Sequence, residues 1–483
     1  MRCVTVEEMR ALEANSDYFG VTYGMLMENA GRKAAESIIA HYKKCRVLVV
    51  CGTGNNGGDG AVVARLLANA GYSVMIVLLG RVGHVKPGPA LVNLEIVRGM
   101  DMPFIEAATP DRIPVEAFEG CDLIVDAILG TGFRGVPREP ARTAIRLINK
   151  SKAHKVSIDL PSGLDASTGE CVECVCPDLV LTFHAPKKGL ERYRFEVLDI
   201  GIPAKALTHI GPGDLVGLKS RGDFVEKGGG GRLLVIGGGP YTGAPAFTAL
   251  AAYRAGAEIV TVAAPRRAAS IIASFSPDLI VRPLFHEDFI VREDIPTLKK
   301  LIERHHAVAV GMGLGREPET LEAVKEILPL CGRVVIDADA LQPDMPLHGI
   351  ITPNVHEFER LCGERPGPDG DIANAVRAFS AKKGVVTLWK GTPAVVSDGE
   401  ALKVNSTGNP GMRVGGAGDV LAGIVGAFYC RNPAYKSACA AAFISGAAGD
   451  MAFEDKGYGM MASDIMNMIP YAVKKYWQGL RGH

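Results

Sequence analysis

Residues 46–60 read Arg46-Val47-Leu48-Val49-Val50-Cys51-Gly52-Thr53-Gly54-Asn55-Asn56-Gly57-Gly58-Asp59-Gly60. A β-branched run that ends in a glycine-rich turn and leads into the helical pattern Ala61 to Ala70 reads as the start of an α/β unit. Gly52, Gly54 and Gly57 satisfy G-x-G-x-x-G, the spacing of a dinucleotide-binding turn. Two features count against a pyrophosphate there. Asp59 sets a carboxylate beside the helix N-terminus that would receive the anion, and no acidic residue ends the next strand to hold a ribose, although Arg81 suits a 2′-phosphate. The plainer reading is a turn whose glycines supply positive φ and tight packing.

Outward from this stretch, short apolar runs alternate with helical patterns almost from end to end, which predicts an α/β chain of parallel sheets covered by helices. Strands are expected at Arg46 to Cys51, Ser73 to Leu79, Leu123 to Ile128, Lys155 to Leu160 and Leu179 to Phe183. A stretch dense in glycine and charge, Gly217 to Arg232, interrupts the pattern and marks a division into domains 1–216 and 217–483. The second alternation runs through Arg232 to Ile236, Glu258 to Ala263, Ala307 to Val310, Arg333 to Asp337, Val385 to Trp389 and Ala394 to Val396. Long Ala- and Gly-rich helices follow from Asp419 onward.

At 483 residues the chain has ample length for two cores. Its 53 Lys+Arg balance 53 Asp+Glu, so no global field recommends nucleic acid or an anionic membrane as a partner. Ser437 to Gly449 is too short and too rich in Ala and Gly to span hydrocarbon and reads as a buried helix. Met1 to Ala11 carries four charges and no apolar h-region, so a cytoplasmic location is expected. Eleven scattered cysteines predict reduced thiols rather than a disulfide framework. Cys171, Cys174 and Cys176 lack a fourth zinc ligand and read as structural or incidental thiols.

Three carboxylates fall at or near strand ends: Asp59, Asp126 and Asp159. Each alone reads as a helix cap; three at corresponding places in a doubly wound sheet converge on one crevice. Together with Asn56 and Ser162 they need a compensating cation, and the all-oxygen donor set favours a hard ion over zinc. Leu26 to Gly31, Gly52 to Gly60, Asp126-Ala127-Ile128 with Gly130 to Gly135, and Ser157 to Gly163 follow one another as in the NAD(P)H-hydrate epimerase domain, which residues 1–215 resemble. That resemblance implies a Rossmann-like doubly wound fold. It also implies that Asn55, Asn56, Gly57, Gly58 and Asp59, with Gly130, Thr131, Gly132, Phe133, Arg134, Gly135 and Val136, contact the hydrated nicotinamide nucleotide. Asp159 would be the acid/base residue, and Asn56, Asp126 and Ser162 would hold K⁺.

The densest signal is Gly408 to Gly423, with Gly415, Gly416 and Gly418 preceding Asp419. Such glycines let successive N–H groups converge on one anion at a helix N-terminus. The Lys-Ser/Thr of a P-loop is missing, which disfavours a Walker-type NTPase. Asp419 is placed to take a proton from a hydroxyl that attacks a phosphoryl group, and the helix dipole is expected to keep it ionised. Asn354 and Glu357 have capping-box spacing, His356 reads as an exposed helix residue, and Asp339 as a cap of the next helix. These motifs, with Gly237 to Gly239 and Gly311 to Gly315, resemble the ribokinase-like NAD(P)H-hydrate dehydratase domain from about Lys227 onward. The resemblance implies that Lys390, Gly391, Thr392, Pro393, Ala394 and Gly418 bind ADP or ATP with Mg²⁺, and that Ala244, Gly313 and Asp419 contact the hydrate. Asn354, a further expected substrate contact, stands where the family often has His, Arg413-Val414 where it often has Ala-Thr, Ala417 where it has Thr or Ser, and Glu226-Lys227-Gly228 where it usually has His-Lys-Gly.

The order of the two domains resembles the fused NAD(P)H-hydrate repair enzymes. The expected substrates are hydrated NADH and NADPH and an adenine nucleotide, and a homo-oligomer is a further expectation. Other classes that share these features are a ribokinase-like small-molecule kinase, a non-catalytic binding module in the first half, and an NADP dehydrogenase acting through Gly52 to Gly57.

Overall fold

The computed structural model describes residues 3–223, 229–363 and 372–480. The Glu226-Lys227-Gly228 segment and the centre of the expected linker lie outside the described residues. The chain forms two compact units, Met1–Ala206 and Leu207–His483. The division falls ten residues before the expected 216/217, because Ile210, Leu215 and Leu218 are buried in the second unit's core. Ile210 N–H also donates to Val404 O, and Lys403 pairs with Asp214 at 2.6 Å.

The first unit has seven strands: β1 (Arg46–Cys51), β2 (Ser73–Leu78), β3 (Phe104–Glu106), β4 (Leu123–Ala127), β5 (His154–Ile158), β6 (Leu179–Phe183) and β7 (Phe195–Leu198). Their order is β3-β2-β1-β4-β5-β6-β7 and every pairing is parallel. The side chains of β1 alternate as a doubly covered sheet requires: Val47, Val49 and Cys51 enter one core, Leu48 and Val50 the other. Helices Tyr23–His41, Asn55–Asn69 and Pro89–Arg98 supply the first core, and Ala141–Lys150 supplies the second. Strand order reverses between β1 and β4, so a crevice opens beyond their C-terminal ends.

The glycine-rich stretch differs from the expected loop. The helix begins at Asn55, so Gly57, Gly58 and Gly60 belong to its first turns, and none of them has positive φ. Their purpose is close approach. A Cβ on Gly57 would lie 1.9 Å from Gly52 O, one on Gly58 2.7 Å from the Met27 sulfur, and one on Gly60 2.5 Å from the Ala127 Cβ. Gly52 itself would place a Cβ 2.0 Å from Ile128 O across the reversal point.

The second unit has nine strands: β8 (Arg232–Ile236), β9 (Ile259–Ala264), β10 (Ile280–Pro283), β11 (Ala307–Val310), β12 (Val334–Ile336), β13 (Ile350–Ile351), β14 (Val386–Trp389), β15 (Ala394–Ser397) and β16 (Leu402–Asn405). Their order is β10-β9-β8-β11-β12-β13-β14-β15-β16. The strands through β14 pair in parallel, whereas β14, β15 and β16 form an antiparallel meander, so the sheet is mixed rather than wholly parallel as expected. Helices Gly243–Arg254, Ala417–Tyr429, Ala434–Lys456 and Ala462–Ala472 carry much of the core on one face. Gly423 lets the first two meet closely, since a Cβ there would lie 2.2 Å from Thr248 O. Ser437 to Gly449 is buried within Ala434–Lys456, as expected. No helix among the described residues is long and apolar enough to cross a membrane.

Cys171 and Cys174 form a disulfide, contrary to the expectation of reduced thiols throughout. The isolated bridge between Leu164 and Cys171, and Val175 N–H donating to Ser162 O, fold this segment back and bring the two sulfurs together.

Candidate active sites

In the first unit the strand-end residues divide into two groups. Asp126 is completely buried. Its Oδ1 accepts from Ser162 Oγ (2.5 Å) and Ile128 N–H (3.3 Å), and its Oδ2 from Ser157 Oγ (2.8 Å) and Ser162 N–H (2.9 Å). Burial nevertheless raises its pKa against those four hydrogen bonds. Asn56 Nδ2 donates to Leu129 O (3.1 Å), and Leu129 N–H donates to Ser162 Oγ (2.8 Å), which draws Asn56 and Ser162 to one peptide. Asn56 Oδ1 is buried with no hydrogen-bond partner. An orphaned amide oxygen beside a desolvated carboxyl is a donor set that fits a hard monovalent or divalent cation.

Asp159 belongs to the other group, directly after β5 and in the left-handed region at φ +63°. Its Oδ1 accepts from Lys187 Nζ (2.5 Å), Thr182 Oγ1 (3.2 Å) and Phe183 N–H (3.3 Å). Lys187 is 1% exposed and donates also to Phe183 O (2.8 Å). Asp59 and Glu13 complete the group. Burial, then Asp159 and Glu13, push the Asp59 carboxyl far above its ordinary range, while Lys187 opposes them. Asp159 thus acts on Asp59. Lys187, which sequence reasoning missed, supplies the positive charge that a metal ion was expected to bring to them.

The Gly130–Val136 loop borders both groups. Gly130 lies 3.2 Å, by its absent Cβ, from Asn56 Cβ, and Gly132 lies 3.6 Å from Arg10 Nη2. Thr131 and Phe133 are half-buried, Arg134, Gly135 and Val136 are exposed, and an open cleft of 630 Å³ lies against Arg134, Val136, Arg138 and Arg142. Asn55 stands exposed at the helix start, whereas Gly57 and Gly58 are buried in packing.

In the second unit, helix Ala417–Tyr429 begins after Gly416, which sits at φ +93° and gives no side-chain cap. The N–H groups of its first turn therefore have no side chain to receive them, which leaves a positive helix end. Asp419 is the third helical residue. Thr248 Oγ1 bonds both Ala244 O (3.1 Å) and Asp419 O (3.0 Å), and a Cβ on Gly313 would lie 3.3 Å from Ala244 Cβ, so Ala244, Gly313 and Asp419 are neighbours. Lys390, at the end of β14, bonds Asp337 at 2.5 Å and faces Glu357 at 3.6 Å. A Cβ on Gly418 would come within 3.3 Å of Lys390 Nζ. Burial works against the ammonium, but Asp337, Glu357 and Asp419 outweigh it and raise its pKa.

Asp419 corrects one expectation. Burial, followed by Asp337, pushes its carboxyl up to about 7 despite the helix N-terminus and Lys390, so it is not held ionised. Asp337 was passed over, although it ends β12 as Asp159 ends β5, and the same strand-end logic would have found it. Asp339 does not cap a helix by its side chain; it accepts from Gly315 N–H and Arg316 Nε, both at 3.1 Å. Asn354 and Glu357 form a reciprocal capping box (2.9 and 2.7 Å), and the side chain of His356 is 91% exposed. Gly391 to Ala394 make the turn between β14 and β15, with Gly391 lying against the Trp389 ring and Thr392 and Pro393 exposed.

A doubly wound unit with an acid–base cluster at its reversal point, followed by a unit with a phosphate-suited helix end beside a poised carboxyl, defines a two-site enzyme of α/β architecture. The NAD(P)H-hydrate dehydratase family matches residues 233–471, and the family of YjeF-related protein N-termini matches residues 24–189. The bifunctional NAD(P)H-hydrate repair enzyme Nnr of Archaeoglobus fulgidus is 43% identical over 480 residues, covering 98% of this chain and 99% of that protein. The enzyme of the same name from Pyrobaculum aerophilum is 41% identical over 502 residues, covering 99% of each. A ribokinase-like superfamily protein from Enterococcus faecalis superposes with a TM-score of 0.50 at 24% identity, over 56% of this chain and 96% of its own. The chain belongs to the family of bifunctional NAD(P)H-hydrate repair enzymes, an epimerase unit followed by a dehydratase unit.

Proposed function

We propose that the first unit interconverts the R and S hydrates of NADH and NADPH through Asp159, and that the second unit dehydrates the S form at the expense of ADP or ATP. In the second step Asp419 takes the proton of the hydrate's hydroxyl as its oxygen attacks the terminal phosphoryl group, whose bridging P–O bond breaks to release AMP from ADP or ADP from ATP. The C–O bond then breaks, phosphate leaves, and loss of the neighbouring ring proton restores the dihydropyridine. The observation that carries this reading is the position of Asp419. It stands at a positive helix end, next to Gly418 and Lys390, with a carboxyl poised near pH 7, where a general base works best.

Asn56 Oδ1, Asp126 and Ser162 would hold K⁺, which supplies fixed positive charge to the substrate loop. Mg²⁺ would arrive with the nucleotide, where it screens phosphate charge. Lys390 to Ala394 and Gly418 would border the adenine nucleotide, and Asn55 to Asp59 with Gly130 to Val136 the hydrate in the first unit. A cytoplasmic location goes with these substrates. A homo-oligomer is part of this reading, and sedimentation checks it.

The test is incubation of an R/S hydrate mixture with ADP or ATP while NADH absorbance is followed. Complete conversion of both epimers supports the reading; a stable phosphorylated product would favour a small-molecule kinase. Exchange of K⁺ for Na⁺ should slow epimerisation several-fold and leave dehydration unchanged, and indifference to the exchange would remove the ion from the reading.

A further inference from the structure

Three carboxyls surround the single ammonium of Lys187, and they do not share it equally. Lys187 is committed to Asp159 at 2.5 Å. Asp59, within the first turns of its helix, has its carboxyl pushed well above the ordinary range by burial and then by Asp159 and Glu13. Glu13 is the third. It lies on helix Val6–Tyr18, whose start is fixed by a capping box between Thr5 and Glu8. One turn before it, Arg10 reaches to within 3.6 Å of the Cβ position of Gly132. Val4 N–H donates to Pro186 O (2.9 Å) and Val6 packs in one core with Leu160, so this helix is seated beside the Asp159–Lys187 pair, and its Arg10–Glu13 face reaches the Gly130–Val136 loop through Arg10. The groups that act on Glu13 are Asp159, Lys187 and Arg10, and Glu13 acts in turn on Asp59 and Tyr23.

We infer that Glu13 is the second proton-transferring group of the epimerase site, paired with Asp159 across the hydrate. This role rests on the epimerase reading of the first unit. Inversion at one carbon and back again needs a proton acceptor and a proton donor that exchange roles, and two carboxyls in contrasting surroundings provide them. Burial, then Asp159, raise Glu13 to about 7, so at neutral pH it is available in both forms. Asp159 is instead ion-paired with Lys187.

Carbon 6 of the hydrate bears both the hydroxyl and ring nitrogen N1, which makes it a hemiaminal. The Asp159 carboxylate removes the hydroxyl proton and the C6–O bond becomes a carbonyl. The C6–N1 bond breaks with its electron pair going to N1, which takes the proton of the Glu13 carboxyl. After rotation about C5–C6, N1 adds to the opposite face of the carbonyl and returns its proton to Glu13, while the oxygen recovers its proton from Asp159. Both side chains end as they began, and no oxidant, reductant or nucleotide is consumed.

The test uses the full-length protein with Glu13→Gln, Glu13→Asp and Asp59→Asn, following epimerisation by chromatographic separation of the R and S hydrates and dehydration by NADH absorbance. Glu13→Gln should lower the kcat of epimerisation at least 100-fold with KM within threefold, and leave dehydration unchanged. The wild-type rate should fall as pH rises through about 7, because ring opening needs the protonated Glu13. That limb should vanish in Glu13→Gln and return, with partial activity, in Glu13→Asp. A wild-type kcat in Glu13→Gln, a loss confined to KM, or a limb that survives there and disappears only in Asp59→Asn would overturn the role. Cooperative melting of Glu13→Asp with no recovered activity would do the same, since a folded carboxylate variant must work in part. A wild-type protein that dehydrates the S hydrate but never consumes the R hydrate beyond its spontaneous rate would remove the epimerase reading itself, a result distinct from failure of Glu13 alone.

Discussion

In each unit a lysine at the candidate site is drawn in against an aspartate at 2.5 Å: Lys187 on Asp159 in the first, Lys390 on Asp337 in the second. The lysines serve opposite ends. Lys187 grips the residue assigned to proton transfer and leaves Glu13 and Asp59 to carry the desolvation. Lys390 grips a bystander, Asp337, and leaves Asp419 with its carboxyl near 7. A buried cation thus sets which carboxyl of a cluster stays charged, and the choice of partner decides whether the working group is fixed or poised.

The largest effects should come from neutralising each working carboxyl separately. Asp419→Asn should lower dehydration by about 10²–10⁴-fold with nucleotide affinity within a few-fold, and leave epimerisation intact. Asp159→Asn should do the reverse, because every proposed group of one site lies within one unit. Loss of both activities in either variant would mean that the sites share components.

Removing the lysines breaks the comparison more directly. Lys187→Met strands Asp159 beside two other carboxyls and should cost about 3–5 kcal/mol in urea unfolding, with Lys187→Met/Asp159→Asn recovering part of it. Lys390→Met should destabilise similarly but also shift the acid limb of the residual dehydration rate above pH 7, since a cation that lowers Asp419 is lost. An unmoved limb would show that Lys390 does not tune Asp419.

The pH dependence of the second site has a defined sign. Asp419 must be ionised to act, so dehydration should rise with pH through about 7. Its folded pKa exceeds the ordinary 3.8, so between 3.8 and about 7 the folded protein binds a proton that the unfolded chain has lost. Its contribution to stability therefore falls across that window, and the penalty is complete above pH 7. Asp419→Asn should match wild type near pH 3 and exceed it by about 1–2 kcal/mol at pH 8, allowing for partial solvent screening. Calorimetry at the two pH values checks this. The smallest effect is expected at Asn354, whose capping box is worth about 1 kcal/mol: Asn354→Ala should lower stability by that amount and change the kcat of dehydration less than twofold. A larger kinetic loss would make Asn354 a substrate contact.

Strand-end carboxylates were legible because a parallel sheet delivers every strand's C-terminus to one edge, so Asp126 and Asp159 could be placed without coordinates. Lys187 was not, since a lysine in Pro186-Lys187-Lys188-Gly189 looks like any solvated turn, and only tertiary packing reveals that it is buried while Lys188 is exposed. The short strands β3, β7, β10, β13 and β16 also escaped, being two to four residues long and drawing their order from a neighbouring strand rather than from their own pattern. The dipole argument for Asp419 failed on magnitude. A helix end contributes about 0.3–1 kcal/mol, whereas burial of a carboxyl among others of its sign contributes several times more. The disulfide was hidden because Cys171 and Cys174 meet only after the chain turns back on Leu164 and Ser162.

Gly52 at the end of β1 and Gly237 after β8 share one circumstance: a Cβ on either would strike the main-chain oxygen beyond the adjacent strand, Ile128 O at 2.0 Å and Met312 O at 2.5 Å. Backbone rests on backbone beside both sites, so the gap between the strands cannot narrow there. The two sheets act as anvils. Whatever closing motion the substrates require must be made by the hammers, Thr131 to Val136 over the first and Tyr241 to Ala244 with Gly391 to Ala394 over the second. Turnover in both units should therefore respond to the stiffness of those loops and hardly at all to the stiffness of the sheets beneath them.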